Sequence, residues 1–167
     1  MNILITGATG FIGKEIVSEF TKNKKWNIFV LVRDLFYSVP DGVTLISFDN
    51  FTDINISLFN GMTFDTVIHA AGRAHIMNEN TLDQLDAFRE ANVQGTINIA
   101  NLSNKLKVKH FIFLSSLKVN GECTEGGDVI DFQSPLNPSD PYAVSKMEAE
   151  NALIRLSESL NFCFTII

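Results

Sequence analysis

Tyr142 and Lys146 are the residues whose types and spacing best suit chemistry. They stand four positions apart within residues 141–146, so on a helix the phenol and the ammonium group share one face. A phenol ordinarily titrates near about pH 10, and a nearby cation favours its phenolate, which can then serve as a general base. A tyrosine and a lysine can also share a helix by chance, because this spacing alone is a weak motif.

A second motif is the glycine-rich loop that directly follows the first apolar run. Gly7 allows a tight turn, Gly10 lets backbone approach a pyrophosphate, and Gly13 lets a helix pack closely. Phe11 and Ile12 fall in the first turn of that helix, whose N-terminus would face the phosphate charge. The spacing GxxGxxG differs from the commoner GxGxxG, and a purely structural turn is the alternative. The order of strand, glycines and helix favours a dinucleotide-binding loop.

The residue at the end of the second strand pattern bears on the choice of cofactor. Arg33 occupies the place where an acidic side chain would hold the ribose hydroxyls of NAD, and an arginine there favours the 2'-phosphate of NADP. Asp34 could take the ribose role if the strand ended one residue later. We therefore expect NAD or NADP, with a preference for NADP.

The elements that would position these residues alternate along the chain. Continuously apolar runs of strand length are typical of a parallel sheet covered on both faces by helices, so the sequence predicts an α/β doubly wound (Rossmann) fold with three layers, α/β/α. The predicted strands are 2–6, 27–32, 44–48, 66–70, 110–114 and 162–167, and the predicted helices are 11–22, 82–106 and 140–160, the last with Asp140 as its N-cap.

Four segments together resemble the extended short-chain dehydrogenase/reductase family, which includes the NAD-dependent epimerases and dehydratases. They are the glycine loop 7–13, the segment Asn-Val-Gln-Gly-Thr at 92–96, the segment Leu-Ser-Ser-Leu-Lys-Val-Asn-Gly at 114–121, and the pair Tyr142 with Lys146. The resemblance runs from residue 1 to residue 167. It implies an NAD(P)-binding domain and hydride transfer at a carbinol or ketone.

The resemblance also implies roles for residues near the catalytic pair. Ser116 would donate a hydrogen bond to the reacting oxygen, with Ser115 as the neighbouring candidate. Asn92 would help to order Lys146 and its water, although a plain buried helix asparagine fits as well.

Further residues are implied in cofactor binding. Asp49, with Asn50 beside it, resembles the residue that binds the adenine amino group. His69, Ala70 and Ala71 resemble the loop that lines the cofactor, with His69 as a packed wall residue because the tyrosine already supplies the acid or base.

Residues 73–79 and 116–122 look most like bacterial UDP-glucose 4-epimerase-like proteins and UDP-4-keto-sugar reductases. Dehydratases usually carry an acidic pair directly after the hydroxyl residue, and this sequence has Leu117 and Lys118 there. The resemblance thus implies a nucleotide-sugar substrate of the UDP-hexose type, oxidised at C4 by a 4-epimerase or reduced by a 4-ketoreductase. A non-sugar ketone reductase and a non-catalytic dinucleotide-sensing domain are the alternatives.

Composition limits the partners and the setting. The net charge of -6 gives no basic surface for nucleic acid or an anionic membrane, and no apolar run approaches the roughly 20 residues of a spanning helix. Cys123 and Cys163 lack metal-ligand spacing, so we expect no metal site and two buried, reduced thiols in a cytoplasmic protein. We also expect one domain, 1–167, truncated before a substrate-binding part, with weak cofactor binding and little activity alone and a homodimer in the longer protein.

Overall fold

The computed structural model describes residues 1–34, 36–51, 54–74, 81–124 and 129–167, with only the backbone of 81–83. The strands are β1 (Asn2–Thr6), β2 (Asn27–Val32), β3 (Val43–Ser47), β4 (Thr66–His69), β5 (His110–Phe113) and β6 (Cys163–Ile166). The helices are α1 (Phe11–Thr21), α2 (Thr81–Phe88), α3 (Gly95–Lys105) and α4 (Pro141–Leu156), and short 3-10 turns lie at Ile56–Phe59 and Leu117–Val119.

The strands form one parallel sheet in the order β3-β2-β1-β4-β5-β6. The chain reverses its direction of travel across the sheet between β3 and β4, so β1 and β4 are neighbours whose connections leave to opposite sides. In open α/β sheets a ligand binds at the carboxyl ends of the strands beside such a reversal. The predicted doubly wound α/β fold is confirmed.

Two apolar cores lie on the two faces of the sheet. Successive side chains of β1 alternate between them, since Ile3 and Ile5 pack with Val17 of α1, whereas Leu4 packs with Ile99 of α3 and Leu153 of α4. Every one of these residues is buried. The α/β/α layering follows directly from this alternation.

Several predicted boundaries and one burial prediction need correction. Helix α4 ends at Leu156 rather than near residue 160, and the helix predicted over 82–106 contains a π-helical turn, Arg89–Gln94, between α2 and α3. Cys123 and Cys163 are free thiols, as expected, but both are exposed. The expectation of burial was wrong because Cys123 lies on a loop and Cys163 on the edge strand β6. No helix in the described ranges has the length and apolarity needed to cross a membrane.

Candidate active site

The glycine loop joins β1 to α1 through contacts that leave no room for side chains. Gly7 has a φ of +73°, and a Cβ there would lie 2.5 Å from the backbone of Ala70 and Ala71. A Cβ on Gly13 would lie 2.1 Å from the Gly7 carbonyl oxygen. The close helix packing expected at Gly13 is therefore present, and the loop also abuts the segment that follows β4.

A cavity of about 510 Å³ opens beside this loop at the carboxyl ends of the strands. Its walls come from the glycine loop, the ends of β2 and β3, the loop after β4 and the π-helical turn. The lining residues are Gly7, Thr9, Gly10, Leu31, Val32, Arg33, Phe48, Phe51, Ala70, Ala71, Gly72, Arg73 and Ala91. The structure thus brings together Gly7, Gly10, Arg33, Ala70 and Ala71 from the predicted cofactor residues.

The two candidates for ribose recognition are arranged differently. Strand β2 ends at Val32, so Arg33 is the first residue beyond it and lines the cavity. The Asp34 carboxylate instead accepts a hydrogen bond from the Phe36 backbone N–H at 2.9 Å. Of these two residues, Arg33 is the one that lines the cavity.

Other predicted cofactor residues lie outside that wall. Phe11 is 89% exposed in the first turn of α1, and Ile12 beside it is also exposed. Asp49 and Asn50 are exposed after β3, whereas their neighbours Phe48 and Phe51 line the cavity.

Helix α4 carries the catalytic candidates. Its N-cap is Asp140, whose carboxylate accepts a hydrogen bond from the Ala143 backbone N–H at 2.7 Å. Tyr142 is half-buried, packs edge-on against Phe88 at a ring separation of 5.9 Å, and lines a second cavity of about 350 Å³. Because Ala74 lines this cavity and Arg73 lines the larger one, the two cavities lie against adjacent residues of one loop.

Lys146, one helical turn from Tyr142, is almost fully buried, with 3% of its surface exposed. Its Nζ donates a hydrogen bond to the Leu114 carbonyl at 2.6 Å and lies 4.0 Å from the centre of the Phe113 ring. Burial lowers the pKa of Lys146 to about 8, against an opposing effect of the Glu150 carboxylate. These contacts hold the ammonium group in one position, on the face of the helix that also carries Tyr142.

The structure separates the two serine candidates. The Ser115 hydroxyl donates a hydrogen bond to the Glu150 carboxylate on α4. Ser116 caps the 3-10 turn Leu117–Val119, where its Oγ accepts from the Lys118 backbone N–H at 3.3 Å. Ser115 is therefore engaged by α4, whereas Ser116 keeps its hydroxyl proton available because it acts there as an acceptor.

Asn92 is buried in the π-helical turn and connects two elements. Its side-chain oxygen accepts from the Arg73 backbone N–H at 2.7 Å, and its Nδ2 donates to the Arg73 carbonyl at 3.0 Å and to Ser145 Oγ at 2.9 Å. These bonds fix the loop after β4 to α4. They reach Ser145, the residue before Lys146, and do not include Lys146 itself.

His69, the last residue of β4, lies behind the cavity loop and not on its wall. It is 1% exposed, and burial, with the nearby Lys146 charge, lowers its pKa to about 3. The imidazole is therefore neutral at ordinary pH. No cluster of three or more potential metal ligands occurs among the residues that the structure describes.

The sequence profile of the family described as "NAD dependent epimerase/dehydratase family" matches residues 3–167. The chain belongs to the NAD dependent epimerase/dehydratase family. A UDP-glucose 4-epimerase from Vibrio cholerae is 36% identical over 168 residues, which cover 99% of this chain and 50% of the relative. A dTDP-D-glucose 4,6-dehydratase from Dictyostelium discoideum is 29% identical, over 89% of this chain and 38% of the relative. The chain spans about half the length of the curated relatives it matches.

Solved structures of two nucleotide-sugar 4-epimerases share this fold. The UDP-glucose 4-epimerase of Thermus thermophilus, in complex with NAD, superposes with a TM-score of 0.81 at 25% identity, over 99% of this chain and 54% of that one. The UDP-glucuronic acid 4-epimerase of Bacillus cereus, in complex with NAD, superposes with a TM-score of 0.80 at 20% identity, over 99% of this chain and 55% of that one.

At the position where dehydratases usually carry acids, this NAD dependent epimerase/dehydratase family member has Lys118. Its Nζ donates to the Asp140 carboxylate at 2.6 Å and to Glu122 at 2.9 Å, and both partners raise the pKa of the lysine. Lys118, Asp140 and Tyr142 all line the smaller cavity. The wall beside Tyr142 therefore carries a lysine paired with carboxylates.

Sequence reasoning missed several lining residues of this family member. Phe48, Phe51 and Ala91 line the larger cavity, and Phe88 lines the smaller one. Only sequence position could have indicated Phe48 and Phe51 as lining residues, since they flank the expected adenine-binding residues Asp49 and Asn50. Residues 75–79 of the stretch that resembled epimerases and reductases lie outside the described residues.

Proposed function

We propose that this chain is the cofactor-binding and catalytic part of a UDP-hexose 4-epimerase or 4-ketoreductase that transfers hydride at sugar C4. The observation that carries the proposal is Tyr142 on a cavity wall with buried Lys146 one turn away, next to a larger cavity bordered by the glycine loop. The 36% identity to a UDP-glucose 4-epimerase supports the sugar-nucleotide substrate.

The larger cavity fits a nicotinamide dinucleotide. Gly7 and Gly10 present backbone to it, and the packing of Gly7 on Ala70 and Ala71 excludes a side chain at that point. The first backbone N–H groups of α1 have no partners within their helix and suit a pyrophosphate. When bound, the nicotinamide ring supplies the chemistry of accepting a hydride from C4 and returning it.

Arg33 supports use of NADP, which we propose in preference to NAD. Arg33 lines the cavity directly after the end of β2, where its guanidinium could meet a 2'-phosphate, and the Asp34 carboxylate is engaged with the Phe36 N–H. The solved relatives named above are complexes with NAD. A direct comparison of the two cofactors therefore decides this point.

The chain's own residues divide the proton chemistry between them. Tyr142 accepts the proton of the C4 hydroxyl during oxidation and returns it during reduction. Lys146 holds a positive charge near the phenolate and lowers its energy, while Leu114 and Phe113 fix the ammonium group. Ser116 donates its hydroxyl proton to the C4 oxygen. Leu117 and Lys118 supply no carboxylate at the position where dehydratases usually carry an acidic pair.

Epimerase and reductase share these residues and differ in the fate of the 4-keto sugar. An epimerase retains and turns the ketone, so UDP-glucose becomes UDP-galactose without net change in cofactor. A reductase takes the ketone from solution and consumes reduced cofactor in proportion to product. Incubation of the protein, expressed from its complete reading frame, with UDP-glucose and with a UDP-4-keto hexose distinguishes the two.

Tyr142→Phe tests the assignment of the proton-transferring group. We expect turnover to fall by about 100-fold or more, the usual contribution of a positioned acid or base, with cofactor affinity nearly intact. Tyr37→Phe is the matched control, because it also removes one phenol, which donates to the Ala8 carbonyl at 3.1 Å. If the two variants lose turnover equally, Tyr142 does not have the role assigned to it.

A homodimer, a cytoplasmic location and a substrate-binding part beyond residue 167 stay predictions. Light scattering of the protein expressed from its complete reading frame tests the homodimer. The sequence of that reading frame tests whether a substrate-binding part follows residue 167.

A further inference from the structure

Both ring nitrogens of His69 make buried polar contacts. Its Nδ1 lies 2.6 Å from Thr6 Oγ1 at the end of β1, and its Nε2 lies 3.0 Å from Thr96 Oγ1 on α3. The ring stacks on Phe113 at a centroid separation of 5.8 Å. Both of its ring nitrogens are thus satisfied by threonine hydroxyls in a buried environment.

The directions of these hydrogen bonds follow from which groups have a proton to donate. Thr96 donates its one hydroxyl proton to the Asn92 carbonyl at 2.6 Å, so it can only accept from His69, and Nε2 must carry a proton. In a neutral imidazole Nδ1 is then bare and accepts the Thr6 hydroxyl proton. Thr6 Oγ1 in turn accepts from the Ala71 backbone N–H at 3.2 Å.

The result is an unbroken, one-way series of donors, which we call the buried relay: Ala71 N–H to Thr6, Thr6 to His69, His69 to Thr96, and Thr96 to the Asn92 carbonyl. Both ends of the buried relay are connected to the loop that follows β4. Ala71 belongs to that loop, and the Asn92 side chain binds the N–H and the carbonyl of Arg73 in the same loop.

Burial and the Lys146 charge both favour the neutral form of His69 on which the relay depends. The positive charge of Lys146 acts on the ring, and the Lys146 Nζ contacts the same Phe113 ring that His69 stacks on. A second positive charge on His69 would be buried beside it, and protonated Nδ1 would leave the Thr6 hydroxyl proton without an acceptor. Burial accordingly holds the pKa of His69 at about 3.

We propose that neutral His69 is a positioning residue whose relay through Thr6 and Thr96 sets the loop Ala70–Arg73 against the glycine loop and Asn92. The relay acts on the shape of the larger cavity, because Ala70, Ala71 and Arg73 line it. Its effect on cofactor affinity rests on the proposed function, whereas its effect on the loop does not.

The first test is the tautomer. Nitrogen NMR of the protein with labelled histidine should show His69 protonated at Nε2 alone, without titration between about pH 5 and pH 8. The His69→Gln variant identifies the signal by its loss. An Nδ1-protonated or titrating His69 would overturn the relay.

The second test is amide exchange at the far end of the relay. Thr96→Val is isosteric and removes both relay bonds of Thr96, so the Ala71 and Arg73 amides should exchange at least about tenfold faster, and Thr96→Ser should restore them. Thr165→Val is the matched control, since it breaks another threonine–histidine bond, to His110 at 2.8 Å, on exposed β6. Equal exchange at Ala71 in Thr96→Val and Thr165→Val would refute the proposal.

Titration with NAD and NADP separates this proposal from the proposed function. If the wild type binds a cofactor, Thr6→Val and Thr96→Val should each weaken binding about tenfold, and the double variant little more, because the two residues belong to one series. Losses that multiply would contradict a common relay. A wild type that binds neither cofactor refutes the proposed function, and the tautomer and exchange results still decide the relay.

Discussion

Gly13→Ala sets two physical effects of opposite sign against each other. Gly13 lies within α1, where replacement of glycine by alanine ordinarily stabilises a helix by about 1 kcal/mol. Here the new Cβ would lie 2.1 Å from the Gly7 oxygen, 2.7 Å from the Gly7 carbonyl carbon and 2.9 Å from Ala8 Cα. All three are backbone atoms, which cannot relieve the clash by a change of rotamer as a side chain can.

We expect the steric cost of the new Cβ to exceed the gain in helix propensity. Ordinary contact begins near 3.4 Å, so α1 must move away from the turn by a distance comparable to a bond length. Overpacking of this kind costs about 3 kcal/mol, which exceeds the helix-propensity gain and leaves a net loss of about 2 kcal/mol. For a domain of this size the loss corresponds to a fall of about 6 °C in melting temperature.

The assay pairs thermal unfolding with cofactor titration, and Gly10→Ala is the control. A Cβ on Gly10 meets only the Gly7 oxygen, at 3.3 Å, and its φ of -81° is open to any residue. Gly10→Ala should therefore keep most of its stability while weakening cofactor binding, whereas Gly13→Ala should lose both. An unchanged or raised melting temperature for Gly13→Ala would refute the packing argument.

Three further predictions follow from the site. Arg33→Ala should weaken NADP binding about tenfold more than NAD binding, as measured by titration, and equal losses would contradict a 2'-phosphate contact. Ser116→Ala should lower turnover with little change in melting temperature. Ser115→Ala should mainly lower the melting temperature, because the Ser115 hydroxyl donates a hydrogen bond to Glu150. If Ser115→Ala lowers turnover and Ser116→Ala does not, the two serines have the opposite roles. The pKa of Lys146 is lowered from 10.5 to about 8, so the unfolded chain binds more protons between these values, and stability should rise with pH there. Denaturant titrations should show wild type gaining up to about 3 kcal/mol over Lys146→Met between about pH 8 and pH 10.5, and a constant difference would contradict the lowered pKa.

The sequence was most informative where local pattern alone decides the structure. Strands β1 and β2 have the predicted bounds because their continuous apolar runs end at residues that leave the sheet. The close contact of Gly13 with Gly7 and the shared helix face of Tyr142 and Lys146 could be predicted because each depends on a short spacing along the chain. The general fold follows from the alternation of strand and helix.

Features that depend on partners distant in sequence could not be predicted. The bond between Ser115 and Glu150 forms only when the end of β5 meets α4. The bonds of Asn92 to Arg73 and Ser145 form only when the π-helical turn meets the loop after β4 and α4. The exposure of Cys163 depends on β6 lying at the sheet edge, which no local pattern shows. The relay through His69 likewise joins β1, β4, α3 and the π-helical turn.

The contact between Gly7 and the Ala70–Ala71 backbone has a consequence during synthesis. Strand β1 pairs with β4, whose residues leave the ribosome some sixty positions after the glycine loop. The glycine loop therefore lacks its contact with Ala70 and Ala71 until β4 has emerged, although its own residues are made earlier than those of β4. Nascent chains stopped short of β4 should be unable to bind a dinucleotide, because non-local pairing completes the binding surface.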